Sequence, residues 1–182
     1  MVRLVVEGGP HRGVSRADVV RRVRAMLDAL ERAHNEVSIV LTGDDQIQKL
    51  NRAYRGKNRP TDVLAFALHE GEHSEHAGEL LGDVVVSVPT ARRQAAAAGR
   101  PLGPELTMLL AHGLLHLLGW DHDTPAKDRR MRRETERLCA AADAAASARG
   151  ASRTGRNVAD KGGTTRRANA DSKRRRSIRS SR

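Results

Sequence analysis

The stretch His112-Gly113-Leu114-Leu115-His116-Leu117-Leu118-Gly119-Trp120-Asp121-His122 determines how this chain is interpreted. It completes an apolar run that starts at Leu106 and predicts a buried helix. His112 and His116 are four residues apart, so their imidazoles leave the same helix face one turn apart. Gly119 predicts the end of the helix, because glycine adopts the left-handed conformation without strain. His122 then turns back toward the other two histidines.

This arrangement predicts a metal centre. Three neutral imidazoles without a fourth protein ligand are typical of a catalytic zinc site, whereas structural zinc sites more often have four ligands that include cysteine. A single histidine on an apolar helix is usually a core residue, but a third one beyond a glycine turn argues against chance. We therefore expect His112, His116 and His122 to bind one Zn²⁺ per chain, with Asp121 or Asp123 accepting a hydrogen bond from an imidazole. Imidazoles also suit nickel, copper and iron.

The histidine segment resembles the signature H-G-x-L-H-L-x-G-[YW]-D-H of the YbeY family of bacterial endoribonucleases and rRNA maturation factors. Two other segments resemble the same family, namely Asn51–Phe66 (NRAYRGKNRPTDVLAF) and Leu81–Ser87 (LGDVVVS). The three segments follow the family's order and cover about residues 35–140. The chain has Ala65-Phe66-Ala67 where the family usually has Ser-Phe-Pro, and Trp120 where Tyr is usual. Neither departure affects an expected metal ligand.

The resemblance implies a compact α+β fold with a zincin-like zinc helix against the sheet. It also implies a zinc-dependent, single-strand-specific endoribonuclease that acts in 16S rRNA 3′-end maturation, ribosome biogenesis and ribosome quality control. The expected partners are single-stranded RNA, rRNA and ribosomal particles, and no DNA partner is expected. The arginine after tyrosine is regarded as functional in the family. It corresponds to Arg55, which we expect to contact the scissile phosphate.

Two other functions remain open. The first is a zinc peptidase, but metalloproteases with the H-E-x-x-H motif use its glutamate as general base, and Gly113 occupies that position here. The second is a non-enzymatic ribosome assembly factor that uses zinc only to hold its fold. The basic cluster Arg55, Lys57 and Arg59 also has a plainer interpretation as a solvated turn. The general base is not identified. Asp121 and Asp123 are candidates by proximity, but support of a metal ligand or capping of the turn is an equally good interpretation of either residue.

The rest of the pattern predicts helices mixed with short strands. Strands are expected at residues 2–6, 37–41, 63–68 and 80–88. Helices are expected after Ser15, after Asp44 or Asp45, from Pro89 to about Gly99, from Pro104, and after Thr124 from Pro125 to about Ala148. This order predicts an α+β domain over residues 1–148, in which helices pack on a small mixed sheet.

Three acidic or histidine-rich positions outside the signature are interpreted conservatively. We expect Asp62 to stabilise the turn after Pro60. Asp83 is expected either at a sheet edge or as a partner for a nearby cation or backbone group. The polar stretch from His69 to His76 carries histidine and glutamate, but nothing fixes their geometry, and we expect a solvated loop.

Composition separates the domain from the C-terminal segment. Residues 149–182 hold 12 Lys and Arg and 2 Asp and Glu, which is +10 of the net charge of +11 and leaves +1 for residues 1–148. This Arg/Lys-rich tail lacks apolar periodicity, so we expect it to be disordered and to bind RNA non-specifically through phosphates. The lone Cys139 and the lack of a signal peptide or membrane-spanning stretch predict a cytoplasmic protein without membrane contact.

Overall fold

A computed structural model describes residues 1–68 and 79–154, with side chains up to residue 148. Four strands form one mixed sheet in the order β1-β2-β4-β3. Their bounds are β1 (Val2–Val6), β2 (Glu36–Thr42), β3 (Val63–Ala67) and β4 (Leu80–Ser87). β1, β2 and β4 are parallel, and β3 lies antiparallel to β4 at one edge. The predicted small mixed sheet is confirmed.

Five helices connect or follow the strands in the described residues. They are α1 (Arg16–Ala29), α2 (Asp44–Arg55), α3 (Val88–Ala97), α4 (Leu102–Leu117) and α5 (Pro125–Thr154). α1, α4 and α5 share one hydrophobic core with the sheet, whereas Ile47 of α2 packs with Leu64 and Val85 in a smaller cluster. None of the helices in the described ranges is both long enough and apolar enough to cross a membrane.

Strand alternation divides the side chains between these two clusters. Val37, Ile39 and Leu41 on β2 are buried in the main core, and the intervening Val40 packs with the α2 cluster. This is the period of two that a strand covered on both faces shows. α4 is the most buried helix: ten of its sixteen residues are buried. The prediction of a buried helix over the apolar run that starts at Leu106 is confirmed.

Several predicted helix boundaries were wrong. α2 is capped by Gly43 without a side-chain hydrogen bond, because the carboxylate of Asp44 instead accepts hydrogen bonds from α3. α4 begins at Leu102 rather than Pro104, since Pro101 takes the N-cap position. α5 continues six residues beyond Ala148, to Thr154. The alanine-rich stretch up to Ala148 has high helix propensity, and the helix continues past it.

Two other predictions concern segments outside the described ranges. The solvated loop from His69 to His76 lies within residues 69–78. Most of the predicted disordered tail lies within residues 155–182. Both stay predictions, as does the division of the chain at residue 148.

Candidate metal centre

The packing of α4 on the sheet places the first two histidines. α4 contacts β3 and β4, and Gly113 lies where the helix and the sheet are closest. A Cβ atom at Gly113 would be 2.5 Å from Cγ1 of Val84. Because glycine has no side chain, the helix backbone rests directly on β4, and His112 and His116 lie half-buried beside that contact.

The end of α4 brings the third histidine into place. Gly119 has φ 76°, its N–H donates to the carbonyl of His116, and the N–H of Trp120 donates to the carbonyl of Leu115, both at 3.0 Å. These two bonds form a Schellman motif, as the glycine predicted. The Trp120 ring is further held by Arg130 of α5, whose guanidinium carbon lies 4.5 Å from the ring centroid. The chain therefore reverses and returns His122 toward the helix.

The three imidazoles converge as the sequence predicts. One candidate ligand atom from each of His112, His116 and His122 lies within 4.8 Å of the others. The Nε2 atoms of His112 and His116 are 3.1 Å apart. Zinc–nitrogen bonds of 2.0–2.1 Å at tetrahedral angles would separate two donors by roughly 3.4 Å. The three histidines could thus hold a metal ion.

The surroundings of the two helix histidines favour the neutral form that metal binding requires. Burial, together with the neighbouring charges of His116 and His122, lowers the pKa of His112 from 6.5 to about 4. Burial and the charge of His122 also lower the pKa of His116. Metal ligation needs neutral imidazole. At neutral pH both helix histidines are neutral and present lone pairs.

The two aspartates of the turn have other partners. The Oδ1 atom of Asp121 accepts a hydrogen bond from the backbone N–H of His122 at 2.7 Å, and Asp123 pairs with Lys127 at 2.8 Å. In the described residues, neither carboxylate accepts a hydrogen bond from an imidazole. The support of a ligand by Asp121 or Asp123 therefore stays a prediction, and both carboxylates form contacts within the turn into α5.

Asp62 is the acidic residue that the sequence did not link to the site. Its carboxylate accepts hydrogen bonds from Val63 N–H at 2.8 Å, Thr61 Oγ1 at 3.1 Å and Gln94 Nε2 at 2.9 Å. Burial opposes ionisation, but these bonds outweigh it and lower the pKa of Asp62. Its negative charge favours the protonated form of His112, which shows that it lies near the site. Its predicted turn role is present as well, through Thr61 and Val63.

Arg55 lies within electrostatic reach of the histidines. It is the last residue of α2, it is exposed, and its charge contributes to the lowered pKa of His116. Lys57 and Arg59 are exposed in the following loop. That loop is fixed by Asn51, which is 3% exposed and donates from Nδ2 to the carbonyl of Arg59 at 2.8 Å. Arg55 therefore lies near enough to the histidines for its charge to act on His116.

Asp83 is a half-buried residue of β4, an inner strand of the sheet. The interpretation of this position as a sheet edge was wrong, because β3 covers that side of β4. Asp83 lies on the sheet face that carries α2, opposite the face that Val84 presents to Gly113. It is not part of the histidine cluster.

Comparison with known proteins agrees with the geometry. The family model described as Endoribonuclease YbeY matches residues 11–143 of the chain. The chain belongs to the YbeY family. Among relatives named Endoribonuclease YbeY, that of Anaeromyxobacter sp. (strain Fw109-5) is 53% identical over 131 residues, which are 71% of this chain and 67% of the relative. That of Moorella thermoacetica is 50% identical over 111 residues, 58% of this chain and 71% of the relative.

The matches leave part of each relative uncovered. For the relative from Anaeromyxobacter dehalogenans, 48% identical over 120 residues, the match covers 66% of this YbeY-family chain and 61% of the relative. A solution structure of a Thermotoga maritima protein matches with a TM-score of 0.56 at 23% identity, covering 90% of this chain and 100% of that one. This last likeness concerns the fold alone.

Proposed function

We propose that this chain is a zinc-dependent endoribonuclease that hydrolyses single-stranded RNA in the cytoplasm. The observation that carries the proposal is the convergence of His112, His116 and His122 in a chain whose relatives are named endoribonucleases. The biological substrate is the 3′ end of 16S rRNA in ribosomal particles, and the activity serves rRNA maturation and ribosome quality control. The fold around α4 is of the zincin type.

The residues at this site have different roles in the proposed reaction. A zinc ion held by the three imidazoles supplies Lewis-acid chemistry, which polarises a phosphoryl oxygen and activates water. The lowered pKa values of His112 and His116 favour their neutral, metal-binding form, and their Nε2 atoms lie 3.1 Å apart. The Asp62 carboxylate adds a negative charge beside His112. Arg55 contacts the scissile phosphate and offsets the charge that develops on it.

Gly113 disfavours peptide hydrolysis. The peptidase reaction of H-E-x-x-H enzymes needs a glutamate after the first ligand. In this chain Gly113 occupies that position, and a Cβ atom there would lie only 2.5 Å from Cγ1 of Val84. The helix therefore lacks the peptidase's general base, and its packing leaves no room for one.

Two routes to RNA cleavage differ in their products. Attack by water would leave one phosphate monoester and one free hydroxyl at the cut. Attack by the neighbouring 2′-OH would instead leave a 2′,3′-cyclic phosphate and a 5′-OH. We favour the first route, because a zinc ion held by three imidazoles alone would be able to activate water. Analysis of the product ends distinguishes the two routes without affecting the assignment as a nuclease.

One preparation tested on two substrates separates the candidate functions. The protein is incubated with end-labelled single-stranded RNA and with casein, as purified, after chelation, and after zinc is restored. The proposal predicts RNA cleavage that chelation removes and zinc restores, with casein intact. Zinc-dependent casein cleavage would support a peptidase. Binding to ribosomal particles without cleavage of either substrate would support an assembly factor.

The C-terminal residues 149–182 have a separate role in the proposal. Their net charge of +10 would attract RNA phosphates and release counterions, so binding should weaken as salt rises. Phosphate contacts carry no sequence information. The tail therefore adds affinity for RNA in general, and the metal centre determines which phosphodiester bond of the RNA is cleaved.

A further inference from the structure

A second basic site lies at the carboxyl ends of the parallel strands. The loop between β1 and α1 faces the start of α3, and the two enclose an open cleft of about 590 Å³. We call it the arginine cleft, and it is lined by Pro10, His11, Arg12, Val88, Pro89, Arg92 and Arg93. Ligands of sheets with parallel strands commonly bind just outside these strand ends.

The arginine cleft has a strong excess of positive charge. Three of its seven lining residues are arginines and none is acidic. Arg93 is paired with Asp44 at 2.8 Å. Arg12 and Arg92 have no acidic partner in the described part of the chain, so their charges face the cleft uncompensated. Two unpaired guanidiniums in one cleft favour an anionic ligand.

Two of these arginines are oriented by local contacts. Arg92 Nη2 donates to the backbone carbonyl of Arg12 at 2.6 Å, which joins α3 to the β1–α1 loop. Arg93 Nη2 donates to Thr90 Oγ1 at 2.8 Å. A guanidinium that is already oriented loses less conformational freedom when it binds a phosphate. This advantage applies to Arg92 and Arg93, whereas the Arg12 side chain is exposed on the facing loop.

His11 also lines the arginine cleft. Its Nε2 atom is buried and has no hydrogen-bond partner within the described residues, which is unfavourable for a polar atom. A turn of the imidazole on ligand binding would let this nitrogen bond to a phosphate oxygen in the cleft. The N-terminal end of α3, which begins at Val88 in the cleft wall, adds a favourable dipole.

α3 connects the arginine cleft to the metal centre. Arg92 lies in the cleft, and Gln94, two residues further along the helix, donates to Asp62 beside His112. We propose that the arginine cleft binds the phosphodiester backbone of the RNA substrate, a few nucleotides from the bond that is cut. This inference rests on the proposed function, because it assigns a second contact to the same substrate.

The test compares two double variants of the full-length, zinc-loaded chain. R12Q/R92Q removes both uncompensated charges from the arginine cleft. R3Q/R32Q removes two exposed charges near the amino ends of β1 and β2, at the opposite edge of the sheet. Net charge and tail are identical in the two variants. Binding of a labelled single-stranded RNA of about twenty nucleotides is measured by fluorescence anisotropy across a salt series, and KM is measured for its cleavage.

We expect R12Q/R92Q to reduce the slope of log affinity against log salt by about 1.4, since each phosphate contact on single strands contributes about 0.7. KM should rise about ten-fold, while R3Q/R32Q should behave like the wild type. R12K/R92K, which keeps both charges, should recover most of the slope. That recovery would rule out a merely structural effect of the glutamine variant.

Three outcomes would overturn the inference or locate its failure. If R12Q/R92Q matches R3Q/R32Q in slope and KM while the wild type binds and cleaves RNA, the arginine cleft does not bind the substrate. If R12Q/R92Q weakens the binding of inorganic phosphate or a mononucleotide but leaves RNA binding unchanged, the arginine cleft binds a free phosphate compound rather than the RNA substrate. If the wild type neither binds nor cleaves RNA, the proposed function itself fails.

Discussion

Gly113 on α4 lies against Val84 on β4 so closely that a Cβ atom at position 113 would come within 2.5 Å of a valine methyl group. Val84 is fully buried and cannot move away into solvent. This contact sets the distance between the sheet and the helix that carries His112 and His116. It also explains why a glycine sits inside a helix, where it ordinarily costs about 1 kcal/mol relative to alanine.

Replacing Gly113 by alanine should therefore destabilise the protein, although alanine favours helix. Overpacking of this kind costs about 1–3 kcal/mol. Urea unfolding of G113A measures the effect directly. The double variant G113A/V84A makes room for the new methyl group, so it should be more stable than the sum of the two single changes predicts. A G113A protein more stable than wild type would show that the contact is not tight.

Replacing Gly119 by alanine should cost stability and metal affinity together. Its φ of 76° strains any residue with a Cβ by roughly 1–2 kcal/mol, and the turn that follows carries His122. Gly99 offers a matched control, because it ends α3 with φ 64° and similar hydrogen bonds but carries no metal ligand. Both variants should lose comparable stability in urea unfolding.

Zinc titration should separate these two glycine variants. G119A should bind zinc more weakly than G99A, since only Gly119 positions a ligand. Equal zinc affinities would mean that His122 reaches the site independently of the Schellman motif.

Asp44 should give the fold a pH dependence of defined sign. Burial raises its pKa, but hydrogen bonds from Ser87 and Thr90 and the pair with Arg93 lower it below the ordinary 3.8. The stabilisation from the ionised form is fully present above pH 3.8 and is lost as the pH falls through the lower folded-state pKa. The difference in unfolding free energy between wild type and D44N should therefore be largest near neutral pH and shrink below pH 3.8.

Asp45 is the control for this prediction. It is exposed in the same first turn of α2, so D45N changes the same helix-dipole interaction without touching the contacts to α3. D45N should show little of this pH dependence. If the difference in unfolding free energy between wild type and D44N stays constant from pH 7 to pH 2, the ionised Asp44 carboxylate is not the source of this stabilisation.

Arg55 should affect cleavage without affecting metal binding. R55Q removes the charge that we place on the scissile phosphate, and loss of one such contact typically lowers kcat/KM about 10²-fold. R52Q, on the same exposed helix end, is the matched control and should stay close to wild type. Zinc content should be the same in all three proteins. A loss of zinc from R55Q would instead make Arg55 a structural support of the site.

The histidine site was predictable because its signals are local. The spacing of His112 and His116 on one helix, and the left-handed Gly119 before His122, follow from backbone geometry that any helix shares. The alternation of Val37, Ile39 and Leu41 likewise fixes a strand without knowledge of its neighbours. The mixed sheet with helices on it followed from the order of these elements.

Long-range contacts were not predictable in the same way. Asp44 looked like a helix cap, but its carboxylate is turned to Ser87 and Thr90, more than forty residues away. Asp62 looked like a turn residue, and nothing in its neighbourhood in the sequence indicates Gln94 or His112. Which carboxylates support a site depends on how distant elements pack, and a local pattern does not contain that information.

The most direct test of the account is to measure zinc content and RNA cleavage together in wild type, H116A and H34A. His34 is exposed in the α1–β2 loop and controls for removal of a histidine as such. The account predicts one zinc ion per chain and cleavage of end-labelled single-stranded RNA for wild type and H34A. A folded H116A, verified by circular dichroism, should lose both. Cleavage by H116A at the wild-type rate would contradict the central claim that the three histidines form the centre on which RNA hydrolysis depends.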